Sequence, residues 1–165
     1  MARLVLADAS PLIALARLGG LRWLPVLFGT LVLPESVRAE ILDHGDWPGQ
    51  DALRKAIEAG ALVVCDDDDT PELPELDEGE AACIRIALRH GGPALILIDE
   101  RAGRAVAAEH GIAVAGTAAV IGMAKQCGLI PSARDAFEEL RRGDFRISDE
   151  VIQAVLQRVG EIGHA

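Results

Sequence analysis

Short apolar runs alternate along the chain with stretches that have the residue spacing of amphipathic helices. The runs lie at residues 3–7, 30–33, 61–64, 94–98 and 112–115, and a helical pattern separates each run from the next. Strands that alternate with helices usually pair in parallel, because a helical crossover returns the chain to the same end of the sheet. The sequence therefore predicts an α/β fold in which helices cover both faces of a central parallel sheet.

Three further helical patterns follow the last predicted strand. Ser132 and Ser148 stand where the N-caps of the last two helices would be. A chain of 165 residues is about the size at which one core stabilises a single domain. We therefore predict one domain over residues 1–165, in which about 131–165 form a C-terminal helical extension. At the other end, Ser10 with the following proline predicts the start of the first helix.

The charge and the residue patterns exclude several classes of protein. The chain carries 26 acidic and 16 basic residues, a net charge of −10, which is the wrong sign for binding nucleic acid mainly through counterion release. A basic protein partner, or an acidic site loaded with a divalent cation, suits this charge better. The sequence has no CxxC pair, no HExxH, no phosphate-binding glycine loop and no GxSxG elbow. Zinc sites, nucleotide-cradling loops and serine-hydrolase chemistry are therefore unsupported.

The hydrophobic runs are all short. The first one reaches Asp8 too early for the core of a signal peptide, and no later run is long enough to span a bilayer. We therefore expect a cytoplasmic protein without a membrane-spanning segment.

Two acidic residues come directly after predicted strands. Asp8 follows the first strand, and Asp99 follows the strongly apolar run at residues 94–98. In an open parallel sheet, functional residues gather beyond the carboxyl ends of the strands, so both acids are expected at one edge of the sheet. Taken alone, each could equally be a helix N-cap.

Two glutamates lie where the apolar side of a predicted helix continues. Glu40 comes three residues after Val37, and Glu80 comes four residues before Ile84. A carboxylate on such a face is costly unless a cation or water neutralises it. Each glutamate could instead be a boundary residue that reaches solvent, or the partner of an arginine.

Four carboxylates at one edge of the sheet would repel one another and raise one another's pKa values. A bound divalent ion removes that repulsion, and hard oxygen ligands favour Mg²⁺ or Mn²⁺. Such an ion would activate a water for attack on a phosphodiester and stabilise the leaving oxygen. The acids therefore predict hydrolysis at phosphorus.

At these acids the chain resembles the PIN-domain nucleases, specifically the VapC-like branch that supplies toxins of type II toxin–antitoxin pairs. The resemblance covers most of the chain. Four segments resemble the acidic motifs of the family: VLADASPLI at 5–13, PESVRAEI at 34–41, LDEGEAA at 76–82 and LIDERAGR at 97–104. The segment GIAVAGT at 111–117 is similar to an uncharacterised PIN-like subgroup.

The resemblance implies a PIN-like three-layer α/β/α fold and a divalent-metal-dependent ribonuclease. The implied catalytic and metal-binding residues are Asp8, Glu40, Glu80 and Asp99. The residues expected to support the metal or the substrate are Ser10, Glu100, Arg104 and Thr117. The residues themselves leave open whether Glu80, Asp77 or Glu78 is the third acid.

The same resemblance implies an RNA substrate, a cognate antitoxin and a homodimer. Apolar residues that we expect to be exposed, namely Trp23, Leu24 and Phe28, are the candidate dimer interface. Arg141, Arg142 and Arg146 are the candidate patch for contacts to a nucleic-acid backbone.

Two other functions remain open from the sequence. A PIN fold that has lost catalysis and serves as an interaction protein would suit the acidic charge. A receiver-like phosphoacceptor domain would share the sheet and its acids but needs a lysine at a late strand end. The only lysines, Lys55 and Lys125, both fall in predicted helices, which argues against that function.

Overall fold

The computed structural model describes residues 2–163, so residues 1, 164 and 165 of the predicted domain, the last two of them in the predicted C-terminal extension, lie outside the described part. The strands are β1 Leu4–Ala7, β2 Leu31–Pro34, β3 Leu62–Cys65, β4 Ala94–Leu97 and β5 Ala113–Ala115. The helices are α1 Ala9–Arg17, α2 Trp23–Phe28, α3 Glu35–Leu42, α4 Gln50–Glu58, α5 Glu78–His90, α6 Arg101–Glu109, α7 Thr117–Gln126, α8 Ala133–Arg142 and α9 Asp149–Arg158.

The five strands form one all-parallel sheet in the order β3-β2-β1-β4-β5. The predicted α/β class, with helices flanking a central parallel sheet, is therefore confirmed. The chain builds outward from β1 to β3 and then crosses back to add β4 on the other side of β1. The strand order thus reverses between β1 and β4, and such switch points leave a crevice beyond the carboxyl ends of the two strands.

Apolar side chains on both faces of the central strands explain this layered arrangement. Leu6 and Ile96 lie opposite each other in the register of β1 and β4, and neither is accessible to solvent. Helix α5 packs against β1, β2 and β4, and its residues Cys83 and Ile84 are fully buried. A sheet buried on both faces has this near-continuous apolar pattern, in contrast to the alternation of a half-exposed sheet.

Two expectations at the N-terminal end of the chain are wrong. The first helix begins at Ala9 with Asp8 in the N-cap position, so Ser10 lies inside the first turn. The three apolar residues expected at the surface of α2 are not free, because Trp23 is 2% exposed, Leu24 is 1% exposed and Phe28 is partly buried. Helix α2 packs against β2 and α7, so its large side chains belong to the hydrophobic core.

The C-terminal helices pack on α7 and are capped as predicted. Ser132 accepts a hydrogen bond from the backbone N–H of Asp135, and Ser148 accepts one from Val151, which confirms both N-caps. Helix α9 comes so close to α7 that a Cβ on Gly122 would lie 3.0 Å from Val155 Cγ1. Buried residues of α8 and α9 belong to the same core as the sheet: Phe137, Leu140, Ile152, Val155 and Leu156.

The loop between α8 and α9 is tied to the start of the chain. Arg17 Nη1, at the end of α1, donates a 2.6 Å hydrogen bond to the carbonyl oxygen of Gly143. Asp144 follows with a φ of 63°, a left-handed conformation that is uncommon outside glycine. The loop is therefore held next to α1, the helix that begins directly after Asp8.

Candidate active site

Asp8 is a buried carboxylate without a hydrogen-bond partner for one of its oxygens. The residue is 4% exposed, and its Oδ1 atom is buried with no donor nearby. Although Asp8 occupies the N-cap position of α1, its side chain makes no capping hydrogen bond to the first turn, and only the backbone N–H of Ala9 lowers its pKa. Burial raises the pKa of Asp8 to about 7, and the charges of Asp77, Glu80 and Glu40 add to this effect. The N-cap alternative therefore does not account for this carboxylate.

Glu40 reaches the same place from α3. A Cβ built on Gly79, in the first turn of α5, would lie 2.8 Å from Asp8 Oδ1 and 3.5 Å from Glu40 Oε2. The two carboxylates therefore meet over a glycine whose missing side chain lets α5 approach them. Glu40 is itself exposed, but desolvation of its carboxylate still raises its pKa, and the nearby charge of Asp77 raises it further.

Asp77 and Glu80 form a capping box at the start of α5. Asp77 Oδ1 accepts a 2.8 Å hydrogen bond from the N–H of Glu80, and Glu80 Oε2 accepts one of 3.3 Å from the N–H of Asp77. Glu80 is 4% exposed, and burial followed by the charge of Asp77 raises its pKa. Glu78 points away, because its side chain is 82% exposed and lies 3.9 Å from Arg85. Of the three candidates for the third acid, Glu80 is therefore buried, whereas Asp77 and Glu78 are exposed.

Asp99 is held by Thr117 at the carboxyl end of β4. Its Oδ1 atom accepts a 2.7 Å hydrogen bond from the backbone N–H of Thr117, and its Oδ2 atom accepts one of 2.7 Å from the hydroxyl. Thr117 is the fully buried first residue of α7. Asp99 therefore fixes the start of α7 to the end of β4, across the sheet edge from Asp8.

The other predicted site residues are spread around this edge. Arg104 Nη1 donates a 3.4 Å hydrogen bond to the carbonyl oxygen of Ile98, and a Cβ on Gly116 would lie 2.9 Å from both Arg104 Nη1 and Asp99 Oδ1. Glu100 is exposed at the N-cap position of α6 and adds its charge to the surroundings of Glu80. Ser10 is half-buried and lines a small cleft together with Glu40.

A family model described as a PIN domain matches residues 4–161, a range that includes every one of these side chains. The chain belongs to the PIN-domain family. Neither a curated protein nor a solved structure matches it. Membership supports a nuclease-type function in general, that is, hydrolysis of phosphodiester bonds in a nucleic acid with the help of divalent metal ions. None of the helices between residues 2 and 163 is long and apolar enough to cross a membrane.

The side chains of this PIN domain divide into two groups. The charges of Asp77, Glu80 and Glu40 raise the pKa of Asp8, whereas Asp99 is paired with Thr117. Within residues 2–163, no three His, Cys, Asp or Glu side chains lie close enough together to hold a metal ion as they stand.

The donor chemistry of the PIN-domain site nevertheless fits a hard divalent cation. All candidate ligands are carboxylate oxygens, which Mg²⁺ and Mn²⁺ prefer. Asp8 Oδ1 is a buried acceptor with no partner, and burying such a group is costly unless a donor or a cation satisfies it. The glycine at position 79 leaves open the space between that oxygen and Glu40. A cation at this position would satisfy the unpaired oxygen.

Thr117 allows a test of the Asp99 side of the PIN domain. We expect Thr117→Val, which keeps the shape of the side chain, to lower the free energy of unfolding by about 1–3 kcal/mol, because Asp99 Oδ2 loses its donor. Urea unfolding would measure the change. Thr30→Val, at an exposed position before β2, is the matched control and should have almost no effect. Equal stability of the two variants would contradict a structural role for the Thr117 hydroxyl.

Two contacts of the site were not recognised from the sequence. Asp77 is one of the three candidates for the third acid, and its spacing of three residues before Glu80 is the signature of a capping box. That spacing indicates the cap but not the effect of Asp77 on Asp8, which lies far away in sequence. The α8–α9 loop also reaches the site, because Phe145 lines the small cleft with Ser10 and Glu40. No local pattern indicates that contact.

Proposed function

We propose that this PIN-domain protein is a divalent-metal-dependent endoribonuclease. The observation that carries the proposal is the buried, unpartnered Oδ1 of Asp8, which faces Glu40 over Gly79 at the switch point of the sheet. A buried carboxylate among other acids is unfavourable in a purely structural role, because desolvation and like charges both oppose its ionisation. Strongly perturbed acids in such a crevice are characteristic of functional sites.

In this proposal Asp8, Glu40, Glu80 and Asp99 hold Mg²⁺ or Mn²⁺. The bound ion supplies an activated water and stabilises the charge on the leaving oxygen. Thr117 holds both oxygens of Asp99 and so sets the orientation of that ligand. Arg104, beside Asp99, is placed to bind a phosphate oxygen of the substrate. Ser10 and Glu100 support the acids from α1 and the start of α6.

We further propose that the protein is a cytoplasmic VapC-like toxin with a cognate antitoxin, and that it forms a homodimer. The resemblance of its four acidic segments to that branch supports this role. We also propose that the chain forms one domain, since residues of α8 and α9 share the core of the sheet. The dimer interface must lie elsewhere than on Trp23 and Leu24, which are buried.

An interaction protein without catalysis is the second candidate. It is favoured by the lack, within residues 2–163, of three acids close enough together to hold a metal as they stand, and by the net charge of −10. A receiver-like domain fits less well, because Lys55 lies in α4 and Lys125 Nζ donates to the carbonyl oxygen of Pro131. Neither lysine stands at the end of a strand.

Cleavage of labelled single-stranded RNA by the purified protein, with Mn²⁺, with Mg²⁺ and with EDTA, separates the two candidates. We expect cleavage with at least one of the metals and none with EDTA, because the acids alone cannot activate water. Titration with Mn²⁺, followed by calorimetry, accompanies the assay. Absence of both cleavage and metal binding would contradict the nuclease proposal and favour the interaction protein.

Two substitutions distinguish Glu80 from Asp77 as the third acid. We expect Glu80→Gln to lower cleavage by about a hundredfold or more, and Asp77→Asn by only about tenfold, as for a residue that orients a ligand. Both variants preserve the start of α5, because Gln and Asn can take the same places in a capping box. Initial cleavage rates at saturating metal would measure both effects. The reverse order would assign the third position to Asp77.

A further inference from the structure

A cleft of about 590 Å³ opens beside Asp99, away from the other acids. It lies between α6, the start of α7, the α8–α9 loop and α9. Four arginines line it, so we call it the arginine cleft: Arg101, Arg104, Arg146 and Arg158. Two of these arginines come from the C-terminal extension, which contributes none of the predicted metal ligands.

The arginines of this cleft have no carboxylate partners in the part of the chain that the structure describes. None of the four forms an ion pair within 4.0 Å there, and Arg104 donates only to a backbone carbonyl. Six other arginines do pair with carboxylates: Arg38, Arg54, Arg85, Arg89, Arg141 and Arg142. Arg141, Arg142 and Arg146 were the candidate patch for contacts to a nucleic-acid backbone. Of these three, only Arg146 has no carboxylate partner in the described residues, because Arg141 pairs with Asp149 and Arg142 with Glu139.

In a chain with 26 acidic and 16 basic residues, four exposed arginines without a carboxylate partner in the described part of the chain gather at this one cleft. Like charges that line one concave wall repel each other, and the low-dielectric wall strengthens that repulsion. An anionic ligand removes the repulsion and uses the guanidinium donors, which match phosphate oxygens in a bidentate geometry. The charge pattern therefore points to an anion in the cleft.

The rest of the lining favours a nucleic acid strand over an acidic peptide. Between the arginines the wall is apolar, with Phe145, Ile147 and the 44% exposed Val151. Phe145 also lines the small cleft that holds Ser10 and Glu40, so one aromatic ring stands between the arginines and the acids. Sites for single strands combine cations along the backbone with aromatic faces on which bases stack.

We propose that the arginine cleft binds the sugar-phosphate backbone of single-stranded RNA and leads it past Phe145 to the carboxylates. The inference rests on the proposed nuclease function and extends it. It assigns substrate binding to the C-terminal extension, with Arg146 and Arg158 as phosphate contacts. The strand then continues past Asp99 and Arg104, which line the same cleft.

The test measures binding without cleavage. A fluorescein-labelled RNA of mixed sequence is titrated in EDTA with Asp8→Asn protein, and fluorescence anisotropy is recorded at several salt concentrations. In this background we compare Arg146→Ala/Arg158→Ala with Arg22→Ala/Arg134→Ala. The control pair removes the same charge from exposed positions outside the cleft. A poly-glutamate peptide serves as the competing anion.

We expect the cleft pair to weaken RNA binding about tenfold or more at 0.1 M salt and to reduce the slope of log affinity against log salt by about 1.4. The control pair should change affinity by less than about threefold. Equal losses in the two pairs would overturn the proposal. It would also be overturned if poly-glutamate displaced the RNA at a comparable concentration, which would assign the cleft to an acidic protein segment.

Combined with the cleavage assay on the wild-type protein, this binding experiment separates the cleft proposal from the nuclease function. If the wild-type protein never cleaves RNA but the arginine pair selectively controls RNA binding, the cleft assignment stands and the nuclease proposal fails. If the wild-type protein cleaves RNA with metal but the arginine pair has no effect on binding, the cleft assignment alone fails.

Discussion

Replacing Asp8 by Asn should lower metal-dependent RNA cleavage by about a thousandfold or more. Asn keeps the size of the side chain but removes the charge of a carboxylate whose Oδ1 is buried without a partner. Loss of a metal ligand removes several kcal/mol of transition-state stabilisation, and about 4 kcal/mol corresponds to a thousandfold in rate. Single-turnover cleavage of a labelled RNA with Mn²⁺ would measure the loss.

Asp69→Asn is the matched control, because it removes the same charge from an exposed loop position. The Asp69→Asn variant should cleave RNA as well as the wild-type protein. A loss in the Asp8 variant then cannot be explained by its changed net charge. Nor can it be explained by a contaminating nuclease that was present in the wild-type preparation and lost from that of the variant. Circular dichroism would verify that both variants fold. A folded Asp8→Asn protein that cleaves at the wild-type rate would refute the site.

The metal-free protein should lose stability as the pH rises from about 4 to about 7, and the Asp8→Asn variant should lose less. Burial raises the pKa of Asp8 from 3.8 to about 7, so between these values the folded state binds a proton that the unfolded state has released. Stability is therefore highest below the unfolded pKa and falls as pH rises through the folded pKa. A shift of this size corresponds to about 4 kcal/mol between the limits.

Urea unfolding in EDTA at several pH values would measure this difference. The raised pKa values of Glu40 and Glu80 act in the same direction in both proteins, so the difference between wild type and variant reports Asp8 together with its coupling to these two acids. Any constant cost of burying an Asn amide does not change with pH. If the free energy of unfolding changed with pH in the same way in the two proteins, ionisation of Asp8 would not destabilise the folded state, and the prediction would be contradicted.

Binding of a divalent metal ion should restore, at neutral pH, the stability that the metal-free protein loses as the pH rises. A ligand that binds only the folded state adds about 2.7 kcal/mol at a concentration of one hundred times its Kd. We therefore expect Mn²⁺ to raise the unfolding midpoint of the wild-type protein at pH 7.5 and to leave that of Asp8→Asn nearly unchanged. A similar response of the two proteins would place the metal elsewhere.

Local patterns predicted the strands and helices, and the positions of Asp8 and Asp99 after two of the strands, because these features depend on neighbours in sequence. The run at residues 94–98 is apolar enough to be a buried strand, and parallel pairing then brings Asp99 to the same sheet edge as Asp8. The N-caps Ser132 and Ser148 follow from side chains that reach only three residues ahead. Such features hardly depend on how distant segments pack.

Contacts between distant segments could not be predicted in this way. Trp23 and Leu24 were expected on the surface, yet α7, which comes almost a hundred residues later, covers α2. The hydrogen bond between Arg17 and Gly143 spans 126 positions and leaves no trace in the local pattern. The unpartnered oxygen of Asp8 likewise results from elements that converge from three parts of the chain.

The strand order also determines when this site can exist during synthesis. Strand β1 emerges first from the ribosome, but it is a central strand, and its neighbour β4 at residues 94–97 is made much later. Thr117, which orients Asp99, and the Gly143 carbonyl that Arg17 holds come later still. Contacts that are so distant in sequence form only after the intervening chain is available. A nascent chain therefore carries Asp8 without its neighbours, and the acids come together in the arrangement described here only after the segment up to Gly143 has left the ribosome.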